Sequence, residues 1–596
     1  MSYLKLEDIV PGDFLRKPRT LIVEAGNGFG KTHSMSLFVS LLQPTRMFER
    51  IYFLEYSQKA CENVVNKIVR FGGKVVWHIG IDHYCNMGLL LDSMRELGIP
   101  SSYACYMCPF FKNKQKLAFT VFREMMENPN VKVVKPTLHQ RGLDEESKVC
   151  TQPIIRSYVL SPSFSLDYYA RIDYTPIIVT PSQLMLNHMV VGKWIKYSRR
   201  QRRERKSLMV IDEADTVFYS SLKINIPEIP VEERDIEILR EFSSRRRDLS
   251  KLADYYHRLR RLLRQVVDNL SFPRPEHLTE FREIQGSTSK LISSFDYRRK
   301  EILHYILSRG EPTNVFRLAN VFYEVNHILN PEYALSTVEE ENGTFILEDY
   351  DFGVKSLLDN TFPWRSFWKV LLSATFPTEK VAESRLLSFR GKAVLLSGER
   401  KTKTYSNVYV SIAPVFPEGY ELLNRNYEIE HSIPKLLNVI KRAIRRYREL
   451  FKRKPRGVCV WLGNKKQYRT VVEAFKRLGF TLKIYTRYSI VVFPGITIFI
   501  SYVGSPVARG IDLDKYDISI AVSPLLRPPR NLVFLDVVDF ARAVAETIQS
   551  VMRIVRSPSP PNPKLVVLEK SITKSFYSFF YPEWFKQLLS QSYVEL

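Results

Sequence analysis

Short runs of β-branched and other apolar residues recur along the chain, and segments with a helical pattern separate them. Strands that are buried on both faces of a parallel sheet have this composition. The runs form two groups, one before residue 212 together with the run at residues 370–372, and the other after residue 400. The sequence therefore predicts two α/β domains, with insertions in the first. The predicted strands are Thr20–Val23, Ile51–Leu54, Ile177–Thr180, Leu208–Ile211, Val370–Leu372, Val458–Leu462, Ile496–Ser501, Ile518–Val522 and Val566–Leu568.

The length of 596 residues exceeds what one hydrophobic core supports and predicts roughly three or four compact units. Ile433–Phe451 is predicted to be a helix that packs on a sheet, because its apolar residues recur at helical spacing above a Lys/Arg face. The aromatic residues between Phe576 and Phe585 are interpreted as core packing. The sequence has no apolar run of roughly 18 residues and no secretory pattern at its start. We therefore expect a soluble cytoplasmic protein with no membrane partner.

The chain carries 88 Lys and Arg residues against 63 Asp and Glu residues, a net charge of +25. A polyanion such as nucleic acid is the natural partner of so basic a protein. A basic proteome, or the surface chemistry of a thermophile, would give the same balance. The charge therefore supports a nucleic-acid partner without establishing one.

Residues 25–32 read AGNGFGKT, directly after the first predicted strand and before a predicted helix. This is the pattern of a phosphate-binding loop, in which glycines let backbone N–H groups approach phosphates at the N-terminus of a helix. In such a loop Lys31 reaches the β- and γ-phosphates and Thr32 binds magnesium. The predicted nucleotide-binding residues are Ala25, Gly26, Asn27, Gly28, Phe29, Gly30, Lys31 and Thr32.

A second motif, Asp-Glu-Ala-Asp at residues 212–215, follows the predicted strand Leu208–Ile211. Ligands bind at the carboxyl ends of the strands in α/β sheets, so these acids would stand at the binding edge. Asp212 is predicted to hold magnesium through water. Glu213 is predicted to orient and deprotonate the attacking water.

Four of the six cysteines fall in one stretch, residues 85–150, between these two motifs. Six cysteines are too few for a disulfide framework in a chain of this length. Four thiolates can ligate zinc or an iron–sulfur cluster, and the spacing alone does not choose between them. The other two cysteines, Cys61 and Cys459, are interpreted as ordinary buried thiols. The four candidate metal ligands are Cys85, Cys105, Cys108 and Cys150.

Two further segments resemble motifs of superfamily 2 helicases and occur in the required order. Leu372–Thr375 resembles motif III, which couples hydrolysis to movement of the strand. Arg509–Asp512 resembles motif V, and the resemblance places Gly510 and Asp512 in the nucleotide site.

Gln549–Arg556 resembles motif VI, Q-x-x-G-R-x-x-R, with Met552 in place of the glycine. In that motif two arginines at helical spacing, here Arg553 and Arg556, reach the γ-phosphate. The resemblance implies that Gln549 and both arginines take part in hydrolysis, with Arg556 as the arginine finger.

Together, the motif order and the cysteines resemble the XPD/DinG family of superfamily 2 iron–sulfur DNA helicases. That family has its cluster between motifs Ia and II and an arch domain between motifs II and III. EAGNGFGKT stands where the family has EAPTGTGKT, and Glu55–Gln58 resembles motif Ia. Tyr84-Cys85 and Cys108–Lys112 also resemble family sequence. The acidic motif ends in Asp215 where the family has histidine, and no glutamine precedes the phosphate loop.

The resemblance implies two RecA-like parallel-sheet domains with an inserted iron–sulfur domain and an inserted, mainly helical arch domain. It implies a helicase that uses ATP and Mg²⁺, moves 5′ to 3′ on single-stranded DNA and opens forked duplex DNA, with one [4Fe-4S] cluster where the strands part. An RNA-directed or strand-stripping translocase, and a non-enzymatic nucleic-acid-binding subunit with a degenerate ATPase fold, are the alternatives. The predicted domains are RecA-like domain 1 (1–81, 156–222 and 361–395), the iron–sulfur domain (82–155), the arch-like insertion (223–360) and RecA-like domain 2 (396–596).

Overall fold

Parallel strands, and helices that pack on them, are the main elements of the fold. The structure is a computed structural model, and the chain forms two compact units. The first unit contains Met1–Phe38, Val210–Tyr219 and Trp368–Leu596, and the second contains Val39–Met209 and Ser220–Phe367. The residues that the structure describes are 10, 14–16, 20–26, 28–85, 87–96, 99, 105, 108–112, 114–142, 147–160, 174–182, 206–219, 222–245, 247–268, 273–349, 367–375, 405–415, 429–485, 487–493, 495–505, 513–522, 537–573, 578 and 580–596.

All nine strands predicted from the apolar runs are present, with ends that differ by at most three residues. The structure also has strands that the runs did not predict, among them an antiparallel pair at the edge of a sheet. The described strands are β1 (Thr20–Glu24), β2 (Arg50–Glu55), β3 (Val75–Trp77), β4 (Val133–Val134), β5 (Leu138–Gln140), β6 (Lys148–Cys150), β7 (Ile177–Pro181), β8 (Ser207–Ile211), β9 (Leu222–Ile226), β10 (Glu339–Glu341), β11 (Thr344–Asp349), β12 (Phe367–Ser373), β13 (Val408–Ala413), β14 (Gly457–Leu462), β15 (Thr481–Ile484), β16 (Ser489–Phe493), β17 (Ile496–Tyr502), β18 (Ile518–Ala521) and β19 (Lys564–Glu569).

The predicted helix Ile433–Phe451 is present with the same bounds. Among the helices that the structure describes, none is both long enough and apolar enough to cross a membrane. The described α-helices are α1 (Lys31–Leu42), α2 (Gln58–Arg70), α3 (Ile81–Tyr84), α4 (Gly88–Glu96), α5 (Pro109–Lys112), α6 (Gln115–Glu127), α7 (Gln152–Leu160), α8 (Ala214–Phe218), α9 (Glu233–Glu241), α10 (Lys251–Asp268), α11 (Pro275–Arg309), α12 (Val315–Val325), α13 (Pro331–Ser336), α14 (Ile433–Phe451), α15 (Lys465–Arg477), α16 (Val537–Val551) and α17 (Glu583–Gln591).

In the first unit, β12 lies between β1 and β8 in the strand order. The pairing of β1 with β12 is parallel and runs from Thr20 opposite Lys369 to Glu24 opposite Ser373. The Ala25 N–H continues it by donating to the Ser373 carbonyl oxygen at 3.1 Å. The carboxyl ends of these strands therefore bring the phosphate loop, the acidic motif and the segment after β12 to one edge of the sheet.

A seven-stranded sheet with the order β13-β19-β18-β14-β17-β16-β15 lies wholly within the first unit. Its central strands are parallel and buried at every position of β14, β18 and β19, as continuous apolar runs predict. The apolar faces of α14 and α15 share one core with these strands. Cys459 lies in β14 and is fully buried, as predicted.

In the second unit, four strands follow the order β2-β7-β3-β4 and pair in parallel. Helix α2 packs beside them, and the Ser57 hydroxyl caps its N-terminus by accepting from the Ala60 N–H at 3.2 Å. Cys61 on α2 is fully buried, as predicted.

The rest of the second unit has a core formed mainly by α9 to α13 and the antiparallel sheet β10-β11-β9. This region lies between the acidic motif and β12, where an arch-like insertion is predicted. Leu91 and Met94 of α4, together with Ile99, belong to the same core. Helix α4 and Ile99 are thus packed against the region that follows the acidic motif.

A buried ion group joins three strands in the first unit. The Asp517 carboxylate, just before β18, is fully buried and accepts from Arg456 Nη2 at 2.8 Å and Lys564 Nζ at 3.2 Å. Burial alone would raise the pKa of Asp517, but the hydrogen bonds from Arg456 and the charge of Lys564 lower it below its usual value. Lys564 is itself buried and also donates to the backbone carbonyls of Asp514 and Tyr516, each at 2.6 Å.

We predict that Asp517→Asn lowers the free energy of unfolding by about 3–5 kcal/mol, because it leaves the buried Lys564 ammonium without its counter-charge. Since the folded pKa of Asp517 is lowered, its contribution is present above about pH 4 and is lost as the pH falls through that pKa. Denaturant unfolding followed by tryptophan fluorescence measures the effect. The exposed Asp514→Asn is the matched control, and equal losses in the two variants would contradict the prediction.

Candidate functional site

The phosphate loop connects β1 to α1, as predicted, and its glycines are needed for two reasons. Gly28 and Gly30 have φ angles of 84° and 82°, which other residues rarely adopt. A Cβ atom at Gly28 would also lie 2.5 Å from the Arg556 carbonyl carbon. The loop thus lies directly against the chain at the end of the segment that resembles motif VI. Asn27 lies outside the described residues.

Lys31 begins α1 and its side chain turns back onto the loop. Its Nζ donates to the Ala25 carbonyl oxygen at 2.5 Å and to the Gly26 carbonyl oxygen at 3.2 Å. Burial lowers the pKa of Lys31, and the charges of Asp212 and Glu213 oppose that shift. The half-buried Lys31 ammonium supplies a positive charge at the loop, which would favour an anionic ligand.

Thr32 and Asp212, the two predicted magnesium ligands, contact each other. Thr32 Oγ1 donates to Asp212 Oδ2 at 2.5 Å, although the residues are 180 positions apart in sequence. Burial raises the pKa of Asp212, the neighbouring Glu213 raises it further, and Thr32 and Lys31 lower it. A hydroxyl and a carboxylate at this separation form a suitable oxygen pair for Mg²⁺.

Glu213 stands at the carboxyl end of β8, immediately before α8. Its φ of 50° lies in the left-handed region, which is strained for a residue with a side chain. The Glu213 N–H donates to Asp212 Oδ1 at 3.0 Å, and Gln549 Nε2 lies 3.4 Å from Glu213 Oε2. The two acids are therefore held in different directions, with Glu213 facing the motif VI segment.

Asp215, for which no role was predicted, has a buried carboxylate at the centre of a hydrogen-bond network. Asp215 accepts from Ser373 Oγ at 2.7 Å, from Thr375 Oγ1 at 2.9 Å and from Gln549 Nε2 at 2.6 Å. Gln549 also lies 3.0 Å from Thr375 Oγ1. These bonds join three segments that resemble motifs II, III and VI. The only local signal for this network is the aspartate itself, at a position where the resembled family has histidine.

The structure places the remaining motif VI residues differently from the expectation. Helix α16 ends at Val551 and a 3-10 turn follows at Met552–Ile554, so Arg553 and Arg556 do not lie on one continuous α-helix. Arg553 is buried and Arg556 is exposed. Further along the chain, Pro558 disfavours a helical conformation at Ser557, the residue that precedes it. Gly510 and Asp512 lie outside the described residues.

Three aromatic rings pack together at the phosphate loop, and the sequence did not indicate this contact. A Cβ atom at Gly26 would lie 2.1 Å from the Tyr405 hydroxyl oxygen, so only glycine fits beneath that ring. Tyr405 packs edge-on against Phe29 and Trp584, with ring centroids 5.1 Å and 5.5 Å away. Trp584 Nε1 donates to the Ala374 carbonyl oxygen at 2.8 Å. The described C-terminal aromatic residues are therefore core residues, as predicted.

The four candidate cysteines of the second unit line one apolar cavity. Its volume of about 60 Å³ exceeds the roughly 10–15 Å³ that one water molecule requires. Cys85 follows α3, Cys108 precedes α5, and Cys150 ends β6. The cavity is lined by Cys85, Cys105, Cys108, Cys150, Ile81, Tyr84, Met87, Leu90, Phe110, Phe111, Leu138, Gln152 and Pro153.

The thiols influence one another but do not form a finished ligand set. Burial, with a smaller contribution from the charges of neighbouring thiols, raises the pKa of Cys105 to about 12 and that of Cys150 to about 11. Within the described ranges, no His, Cys, Asp or Glu side chains form a group that could hold a metal ion. Four convergent thiols in an apolar cavity nevertheless supply the donor type that zinc and iron–sulfur clusters require.

No protein-family model matches the sequence, and no curated protein sequence matches it. Among solved structures, the chain is similar to one described as "XPD_Helicase", with a TM-score of 0.51 and 12% identity over 99% of this chain and 98% of that chain. It is also similar to the structure of S. tokodaii Xpd4, with a TM-score of 0.44 and 12% identity over 98% and 97% of the two chains. The likeness to the XPD helicase shows the fold, and the predicted class of two RecA-like parallel-sheet domains is confirmed.

We predict that Asp215→Ala destabilises the first unit by about 3 kcal/mol or more, because three buried donors from two segments lose their acceptor. Ser373→Ala removes only one of these bonds and should cost about 1 kcal/mol. Thermal unfolding of the two variants measures the difference. The double variant should be little worse than Asp215→Ala, because both substitutions act on one network. Additive losses would show that the two side chains act independently.

Proposed function

We propose that this chain is an ATP-dependent helicase of superfamily 2, related to the XPD/DinG family, that translocates on single-stranded DNA. The observation that best supports this proposal is the meeting of Thr32 with Asp212 and of Asp215 with Gln549. These pairs are separated by 180 and 334 positions in sequence. Segments that resemble motifs for nucleotide hydrolysis therefore converge within one unit.

In the proposed mechanism, Lys31 exchanges its bonds to the Ala25 and Gly26 carbonyls for bonds to the β- and γ-phosphates of ATP. Backbone N–H groups at the N-terminus of α1 bind the same phosphates. Thr32 and Asp212 would hold Mg²⁺, which neutralises phosphate charge when bound. The lowered pKa of Lys31 would rise again as the anionic phosphates favour its charged form.

Glu213 would orient the attacking water and accept its proton. Gln549 is within 3.4 Å of the Glu213 carboxylate and 2.6 Å of that of Asp215, so it can hold Glu213 relative to the rest of the network. Arg553 and Arg556 would stabilise the charge that develops on the γ-phosphate. The contact of the Arg556 backbone with the phosphate loop at Gly28 supports this assignment.

The choice of single-stranded DNA, 5′ to 3′ movement and forked duplex substrates rests on the family resemblance, and the net charge of +25 supports a polyanionic track. Unwinding assays on forked DNA and forked RNA, each with a 5′ or a 3′ tail, test these points. Unwinding of RNA alone would favour the RNA-directed alternative. ATP turnover without unwinding would favour a strand-stripping translocase, and no turnover would favour a binding subunit.

We further propose that Cys85, Cys105, Cys108 and Cys150 hold one [4Fe-4S] cluster in the predicted domain at residues 82–155. The shared apolar cavity supports this donor set. A bound cluster would keep the thiols deprotonated in spite of their burial. Because α4 packs in the core of the predicted arch at residues 223–360, the cluster would also brace that region.

We predict that Lys31→Ala and Glu213→Gln each abolish ATP hydrolysis in the presence of single-stranded DNA and leave the fold intact, because both residues act on phosphate charge or on water. Steady-state phosphate release measures the loss. Lys59→Ala and Glu62→Gln, which alter an exposed ion pair on α2, are matched controls that should retain full activity. Near-normal turnover in either site variant would exclude the proposed mechanism.

We predict that protein purified without oxygen is brown and contains about four irons per chain, and that Cys108→Ser bleaches it. Unwinding should be lost, while much of the ATPase remains, because the nucleotide site is built from other segments. Cys61→Ala, which alters a buried thiol outside the cavity, should keep both colour and iron. A colourless protein with one zinc per chain would overturn the cluster and leave the helicase proposal standing.

A further inference from the structure

The two edge strands of the seven-stranded sheet in the first unit, β13 and β15, differ in what lies beside them. At one edge, β13 is covered by the C-terminal residues of the same unit. The Val410 N–H donates to the Ser592 carbonyl at 2.9 Å, and the Val594 N–H donates to the Val410 carbonyl at 2.8 Å. At the other edge, no strand in the part of the chain that the structure describes pairs with the outer side of β15.

Large apolar side chains are exposed at the open edge and on the adjacent strand. Ile484 of β15 is 50% exposed, the adjacent Tyr485 is 44% exposed, and Val492 of β16 is 53% exposed. Soluble proteins commonly protect edge strands with charges, prolines or bulges, because an open apolar edge pairs with other chains. The sequence of β15, Thr-Leu-Lys-Ile, has one such charge and no proline.

A row of stacked aromatic rings leads from the core to this edge. Phe499 of β17 is buried, and Tyr488 stacks on it at a centroid distance of 5.2 Å and an angle of 25°. Tyr485 stacks on Tyr488 at 4.4 Å and 13°. Because Tyr488 holds one face of the Tyr485 ring, the exposed side chain is fixed in place before any partner arrives, which lowers the entropic cost of binding.

The hydrogen-bond register shows which backbone groups face outward. The Tyr485 N–H donates to the Tyr488 carbonyl at 2.9 Å, and Ile484 lies opposite Ser489. Paired and unpaired residues alternate along an antiparallel ladder, so the N–H and C=O groups of Leu482 and Ile484 point away from β16. These groups can accept an additional strand without any change in the hairpin.

The charges of the hairpin indicate the chemistry of the occupant. Residues 481–493 contain Lys483 and Arg487, both exposed, and no acidic residue. A second copy of this chain would bring like charges together across the new pair. An acidic segment would instead pair with both basic side chains.

We propose that the outer edge of β15 binds an extended, acidic and apolar segment of a partner protein, which adds to the sheet as one further strand. Its backbone would bond to Leu482 and Ile484. Its apolar side chains would lie beside Leu482 and Ile484 on one face of the sheet, and its acidic side chains would lie beside Lys483 on the other face. This proposal is independent of the proposed ATPase activity, because none of these residues belongs to the nucleotide site.

The test uses a fluorescein-labelled short peptide of alternating valine and glutamate, with a peptide of alternating valine and lysine as the charge control. Fluorescence anisotropy should show binding of the acidic peptide to the full chain and little binding of the basic one. Hydrogen exchange should show new protection at residues 482–485. Equal binding of both peptides, or no binding of either, would overturn the proposal.

Two substitutions separate strand addition from general attraction. Ile484→Pro removes an outward N–H and leaves the ladder to β16 intact, so it should lower the affinity for the acidic peptide by about tenfold or more. Ile484→Thr keeps the N–H, and it should bind the acidic peptide. Lys483→Glu should reverse the preference between the two peptides. Unchanged thermal unfolding shows that each variant is folded.

Three other outcomes would overturn the proposal, and the first two would assign the edge to a different occupant. Displacement of the peptide by single-stranded DNA would assign the edge to nucleic acid. Self-association of the wild type that Ile484→Pro abolishes, measured by light scattering, would assign it to a second copy of the chain. Equal peptide binding by wild type and Ile484→Pro would show that no strand is added.

Discussion

The buried carboxylate of Asp215 is the interaction on which the arrangement of the candidate site depends. It accepts hydrogen bonds from Ser373, Thr375 and Gln549, which come from segments that are distant in sequence. A buried carboxylate is stable only when donors surround it, so these segments must meet for the unit to fold. The position of Gln549 beside Glu213 is a consequence of that requirement.

Close contacts around the phosphate loop follow from the same arrangement. Tyr405 lies against Gly26, and the backbone of Arg556 lies against Gly28, so two segments of the C-terminal half of the chain touch the loop where phosphates would bind. Trp584 also bonds to the Ala374 carbonyl. In the proposed motor, these contacts provide a physical link between the state of the nucleotide and the position of those segments.

Local patterns in the sequence were sufficient to predict nine of the described strands, the helix Ile433–Phe451 and the position of the loop between β1 and α1, because each depends on residues only a few positions apart. The partners of Asp215, and the packing of Tyr405 on Gly26, could not be predicted, because these contacts join residues far apart in sequence. The helical placement of Arg556 was expected from a resemblance, but α16 ends at Val551. The four cysteines that were grouped by position all line one cavity, and their role as metal ligands stays a prediction.

The most direct test of the central claim is the rate of ATP hydrolysis by the wild-type chain with and without single-stranded DNA, on protein purified without oxygen. The proposed motor predicts a low basal rate that rises severalfold and saturates as the strand is added. The stimulation should weaken steeply with salt, because a chain with a net charge of +25 displaces counterions when it binds phosphates. A rate that does not respond to the strand at any salt concentration would contradict the account.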